Sequence, residues 1–287
     1  MIPLVPPTAV LCVQSQVVYG HVGNAAAVLA LQRQGFEVWP VPTALLAHHA
    51  GYGPPPGRVL ADREVAALIA GVFARGGANN CAAVVTGWLG TAANGEAALA
   101  AVAEVKAANP KALYLCDPVI GDDAQGIYAP AEVAAFFRDR ALAACDVLAP
   151  NRFELAWLAG QEIAHPGDAI AAAGRLLENG TRLVACTSTP LPDAPGMIGT
   201  LACTRAGAWL ARTERLNRVP QGAGDLFAAL LLARLLKGAN AKKALTFAVA
   251  ATFGVLKQSQ GGGELNLIAA QDQLVHPTWA PEAARLK

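Results

Sequence analysis

Apolar positions along the chain fall into two alternating kinds of segment. Short β-rich runs at 10–13, 37–41, 83–86, 113–116, 146–148 and 183–186 alternate with longer Ala/Leu-rich stretches that carry their charges on one side. Those stretches predict helices over 24–34, 62–75, 94–108, 130–143 and 167–178. Strands that are apolar throughout, separated by helices, predict a parallel sheet covered on both faces. Beyond residue 197 the pattern changes. Runs at 198–204 and 208–212, joined by Arg205-Ala206-Gly207, predict an antiparallel hairpin at the sheet edge. Two long apolar helices are predicted over 225–237 and 241–257, and an amphipathic one over 267–275. The Pro-rich stretch 51–57 reads as a surface loop. With no internal repeat and no dividing linker, the chain is expected to form one α/β domain, 1–287.

Composition narrows the function classes. Hydrophobic residues make up 54% of 287 and charged residues 15%, enough to bury a large core and too apolar for disorder. The formal net charge is +1 without any basic run, which argues against a nucleic-acid partner. Six cysteines lie scattered without a CxxC pair, so neither a disulfide framework nor a structural zinc site is expected. Residues 1–7 contain three prolines and no basic segment, unlike a secretory signal. The longest apolar stretches, 226–236 and 244–256, fall short of the roughly 18–20 residues that span a bilayer. A soluble cytoplasmic protein without membrane contact is expected.

The sharpest chemical signal is Gly222-Ala223-Gly224-Asp225 followed by the apolar run 226–232. Two glycines allow a tight turn where a helix begins, and the unpaired amides of a first turn, with the helix dipole, favour an anion. Asp225 beside that corner is a candidate base for a hydroxyl. The same four residues also suit an ordinary helix N-cap. Polar residues at strand ends extend the pattern: Gln14-Ser15, Thr86-Gly87-Trp88, Asp117-Pro118, Asn151 and Thr187-Ser188. In an open parallel sheet ligands collect at that edge. The sequence holds no GxxxxGK[ST], which excludes a P-loop NTPase; no GxGxxG follows the first strand, which weakens a dinucleotide-binding reading, and the lack of GxSxG argues against an α/β-hydrolase.

Taken in order, segments 14–24, 86–90, 116–122 (CDPVIGD), 149–155 (APNRFEL), 187–188 and 222–227 resemble the ribokinase-like small-molecule kinases, and among them the pyridoxal kinases. The resemblance runs from about residue 10 to about residue 275. It implies a three-layer α/β/α sandwich with a mostly parallel sheet and an antiparallel edge. It also implies ATP-dependent phosphorylation of the 5′-hydroxymethyl group of pyridoxal, with pyridoxine and pyridoxamine as further substrates, by a homodimer using Mg²⁺ and a monovalent cation such as K⁺. Carried over residue by residue, Asp225 becomes the base, and the amides of Gly222, Ala223 and Gly224 become the anion hole. Ser15, His49, Ala50 and Trp88 become the substrate side. Asp117, Tyr128, Ala149, Asn151, Glu154, Thr187 and Ser188 become the ATP side, with Asp117, Asp122 and Glu154 nearest the metal. Simpler roles exist: Glu154 as a first-turn acid, Trp88 as core packing, and His48 in place of His49.

Three positions depart from that family's usual residues. Ala50 and Ala223 stand where threonines are common, and Ala149 lacks a hydroxyl that some relatives carry. Each loss is expected to weaken binding by about a kcal/mol. A hydroxymethylpyrimidine kinase of the same fold is the nearest alternative, although those relatives usually carry Cys where this chain has Asp225. A non-catalytic vitamin B6 or nucleotide binder is the alternative of another class.

Overall fold

A computed structural model describes residues 9–286, so the prolines at 3, 6 and 7 lie outside the described residues. Six parallel strands form the middle of the sheet: β1 (Ala9–Val17), β2 (Glu37–Leu46), β4 (Cys81–Thr86), β5 (Leu113–Cys116), β8 (Val147–Leu148) and β9 (Leu183–Thr189). Antiparallel strands close both sides. On one side lie β10 (Met197–Thr204), β11 (Gly207–Glu214) and β12 (Ala284–Arg285); on the other lies β3 (Gly57–Val59). The order is β12-β11-β10-β9-β8-β5-β4-β1-β2-β3.

Alternation along the strands builds two cores. Leu11 and Val13 of β1 face one side with Val84, Tyr114 and Val184. Val10 and Cys12 face the other with Ala83, Leu115 and Ala185. Helices α2 (Asp62–Phe73), α4 (Ala92–Ala108), α7 (Arg152–Ala159) and α8 (Pro166–Glu178) cover the first face. Helices α1 (Asn24–Arg33), α9 (Ala223–Leu236) and α10 (Ala241–Gln258) cover the second. The sandwich expected from the sequence is therefore the observed fold. All six cysteines are free and buried. Burial pushes the Cys186 thiol up to about 12, so it behaves as a small apolar group.

Four elements differ from the sequence reading. The Arg205–Ala206 hairpin is not the sheet edge, because Trp209 of β11 pairs with Arg285 of β12. An antiparallel strand also forms on the opposite edge, where β3 starts at the end of the Pro-rich stretch. The stretch 130–143 is α5 (Ala131–Phe136), a π turn at Phe137–Ala141 and α6 (Leu142–Ala144). The amphipathic helix over 267–275 is absent among the described residues; only a 3₁₀ turn, Gln271–Leu274, forms there. Leu267, Ala270, Gln273 and Leu274 are buried there, so the apolar spacing that suggested a helix is used for packing, while regular helical structure is confined to the short 271–274 turn. Two short elements escaped the sequence reading altogether: α3 (Gly77–Asn80) and a flap made of β6 (Gly121–Asp122) and β7 (Gly126–Ile127).

Candidate active site

Register brings the polar strand ends together. Val13 of β1 pairs with Thr86 of β4, Thr86 with Cys116 of β5, Cys116 with Leu148 of β8, and Leu148 with Val184 of β9. The residues just beyond that row, including Ser15, Asp117, Asn151 and Thr187, therefore lie along one rim of the sheet. An isolated bridge joins Asn151 to Thr187 directly.

The N-terminus of α9 faces the same rim. Gly222 has φ 90°, a left-handed conformation that favours glycine, and a Cβ there would run into the carbonyl oxygen of His21. The sharp turn leaves the Ala223 and Gly224 amides with no acceptor among the described residues. Asp225 follows, half-buried. Burial raises its carboxyl to about 6, and amide hydrogen bonds from Gly23 and from Asp225 itself pull it partly back.

Asp117, just past β5, is buried, and its carboxylate takes no hydrogen bond from any described residue. Burial, and then the charges of Asp225 and Glu154, push it well above the usual carboxylate range. Glu154 is differently placed. Its Oε1 accepts the amides of Ile120 at 3.0 Å and Gly121 at 3.4 Å, and its Oε2 accepts the Asn151 amide at 2.9 Å. Burial nevertheless raises it to about 8. Asn151 answers through Oδ1, which accepts the Glu154 amide at 2.9 Å, while its Nδ2 donates to Gly121 at 2.8 Å. The pair is a capping box that starts α7 and anchors the flap.

On that flap Asp122 turns its carboxylate back onto the amides of Ala124 and Gln125, at 2.9 and 2.7 Å. Tyr128 sits at the other end of the flap. Its hydroxyl is raised by burial and then by the charges of Glu154, Asp117, Asp122 and Asp225. Ala149 is buried in the sheet core, and its amide donates to Cys116 at 2.9 Å. Ser188 has φ 59°, the only non-glycine with a left-handed φ among the described residues. Among those residues no three Asp, Glu, His or Cys side chains converge tightly enough to hold a metal ion unaided.

Ser15, expected on the substrate side, is buried near the end of β1, and a Cβ on Gly23 would stand 2.6 Å from its Oγ. The Trp88 indole lies against Gly90, and its carbonyl accepts the Thr43 hydroxyl at 2.7 Å. His49 caps the short turn Ala50–Tyr52, with Ala50 exposed. Glu264, absent from every motif, accepts from His49, Tyr52 and His21. Its only trace in the sequence is a carboxylate after three glycines, which has no periodic signature.

A half-buried acid beside free helix amides, at the strand tips of this sandwich, defines a small-molecule kinase of the ribokinase-like fold. Residues 60–266 match the phosphomethylpyrimidine kinase family model. Pyridoxal kinase PdxY of Rubrobacter xylanophilus is 44% identical over 272 residues, covering 93% of this chain and 94% of the relative. Pyridoxal kinase PdxY of Pseudomonas entomophila is 43% identical over 281 residues, covering 96% and 97%. The structure of Leishmania donovani pyridoxal kinase in complex with ADP and pyridoxamine superposes with a TM-score of 0.92 at 30% identity, covering 98% of this chain and 100% of that one. The chain belongs to the pyridoxal kinase family.

Proposed function

We propose that the rim cleft carries out its family's reaction, transfer of the γ-phosphoryl group of ATP to the 5′-hydroxyl of pyridoxal, with pyridoxine and pyridoxamine as further substrates. The observation that carries this reading is Asp225: a half-buried carboxyl raised to about 6, directly after the free amides of Ala223 and Gly224. A base with a pKa near the working pH is well matched to taking a proton from an alcohol. The Gly222–Gly224 amides would bear the charge on the migrating phosphoryl group, where positioning and electrostatics do most of the work. As proposed, Ser15 meets the pyridine ring and Trp88 walls it. Thr187, Ser188, Asn151, Tyr128 and Ala149 line the nucleotide side.

Hard oxygen donors suit Mg²⁺, and the unpaired Asp117 carboxylate fits it. Because no three-ligand cluster exists among the described residues, Mg²⁺ would be held largely by phosphate oxygens and water. It would neutralise charge between the phosphates. Glu154, with its oxygens taken by three amides, would hold the Asp117–Gly121 turn in shape. Asp122 closes its own turn through Oδ1, and its carboxylate would stand beside the metal–phosphate group, where a monovalent cation such as K⁺ would add charge neutralisation.

A homodimer is supported by the apolar side chains exposed near the β3 edge, Leu45 at 45% and Val59 at 37%, with Val18 at 90%. A cytoplasmic location accords with the finding that no helix among the described residues is long and apolar enough to cross a membrane. The test is a coupled assay of ADP release with pyridoxal and MgATP. Asp225→Asn is expected to lose about 10²–10⁴-fold in turnover. Turnover equal to the parent's would remove Asp225 from its role, and binding without turnover in the parent would favour a non-catalytic binder.

A further inference from the structure

Glu264 holds together the two loops that frame the substrate side of the cleft. Its Oε1 accepts the Tyr52 hydroxyl at 2.7 Å and lies 2.9 Å from His49 Nε2, while its Oε2 accepts the His21 amide at 3.0 Å. These partners are 212, 215 and 243 residues away in the chain. His49 Nδ1 accepts the Gly51 amide at 3.1 Å. That bond puts the ring proton on Nε2, so the imidazole donates to Glu264. The His49 and Tyr52 rings stack with centroids 4.5 Å apart. Burial alone would raise the Glu264 carboxyl, but the donors Tyr52, His21 and His49 outweigh it and hold the group below its ordinary range. The carboxylate is ionised at neutral pH, and its bonds are charge-assisted.

Two consequences follow for substrate binding. Both nitrogens of His49 are occupied, so neither is free for the pyridine ring while this contact stands. His21, gripped by its amide, turns its carbonyl toward Gly222, the first residue of the anion hole. A single carboxylate thus ties the substrate loop to the segment that backs the phosphoryl site.

We infer that Glu264 is a positioning residue for pyridoxal: by gripping His49, Tyr52 and the His21 amide together, it fixes the substrate loop against the anion hole. The inference rests on the kinase reading above, and the test separates the two. Steady-state kinetics with pyridoxal and MgATP, calorimetric binding of pyridoxal, and thermal melts would be measured on the full chain, Glu264→Ala and Tyr52→Phe. Losing three charge-assisted bonds is expected to raise the pyridoxal KM and Kd of Glu264→Ala about tenfold or more, with the ATP KM within about twofold of the parent. Tyr52→Phe loses one donor and should raise the pyridoxal KM by about two- to fivefold at unchanged kcat.

A purely structural role would lower the melting temperature and the active fraction without a selective change in pyridoxal KM. An unchanged pyridoxal KM in Glu264→Ala, or pyridoxal and ATP KM rising together, overturns the inference. If Glu264→Ala does not fold, an unchanged pyridoxal KM in Tyr52→Phe overturns it instead. An inactive parent overturns the kinase reading, and pyridoxal affinities from calorimetry then decide the role of Glu264 on their own.

Discussion

The carbonyl oxygen of His21 occupies the space that a Cβ on residue 222 would need, and Gly222 itself holds φ 90°. The 19–21 loop and the start of α9, the proposed anion hole, are therefore fitted to one another through the absence of a side chain. Gly222→Ala must either push the 19–21 loop away or unwind the start of α9. The left-handed conformation alone is expected to cost about 1–2 kcal/mol. Displaced amides should lower kcat about tenfold or more. Thermal melts and turnover on one preparation check both effects, and an alanine variant with parental kcat would show the fit to be irrelevant.

Asp225 sets opposite demands on activity and stability. Its folded-state pKa of about 6 lies above the ordinary 3.8, so the folded chain binds more protons between those values. Ionising this carboxyl destabilises the fold above about pH 6, and the penalty disappears as pH falls toward about 4. Asp225→Asn is therefore expected to melt about 2–5 °C higher than the parent near pH 8, with the difference vanishing near pH 4. Turnover runs the other way: kcat/KM for pyridoxal should fall on the acid side with an apparent pKa near 6, because the base must be ionised.

Ser188, near the end of β9 and proposed to meet the nucleotide, carries backbone strain, with φ 59° on a residue that has a Cβ. Glycine relieves that strain, so Ser188→Gly should be neutral or stabilising by up to about 1 kcal/mol. If the hydroxyl meets the nucleotide, the ATP KM should rise by about three- to tenfold while the pyridoxal KM stays put. Paired KM determinations with a melt would separate the two effects; a destabilised glycine variant would contradict the strain argument.

Metal removal should affect catalysis and spare the fold. Among the described residues no cluster of ligands waits for an ion. Chelation with EDTA is thus expected to abolish turnover and leave the melting temperature of the nucleotide-free protein within about 1 °C. A large fall in melting temperature on chelation would reveal a structural metal instead.

Much of the candidate site could be read from residues 14–24, 117–122, 151–154 and 222–225, because each group is local and its backbone chemistry is written in a few adjacent positions. Asn151 and Glu154, three residues apart, could be placed on one helical face from spacing alone. That their side chains also bind the 120–121 turn could not, since the amides and the carbonyl they meet there lie 30 to 34 residues away. His49 illustrates the same limit. Its type and loop suggested a substrate ligand, but its two nitrogens are taken by Gly51 and Glu264, the second of which is 215 residues distant.

The alternation of apolar strands with helices, the turn of Gly222 and the buried run that follows it were decided by the sequence itself, because burial periodicity and backbone freedom act over a few residues. The tertiary structure alone decided which strands became neighbours, that β3 makes the second edge of the sheet antiparallel as well, and that residues 267–275 hold a 3₁₀ turn at 271–274 in place of an α-helix. It alone brought Glu264 to His49, Tyr52 and His21. Contacts of that kind join segments whose separation leaves no pattern along the chain, and only the packed sheet makes them near.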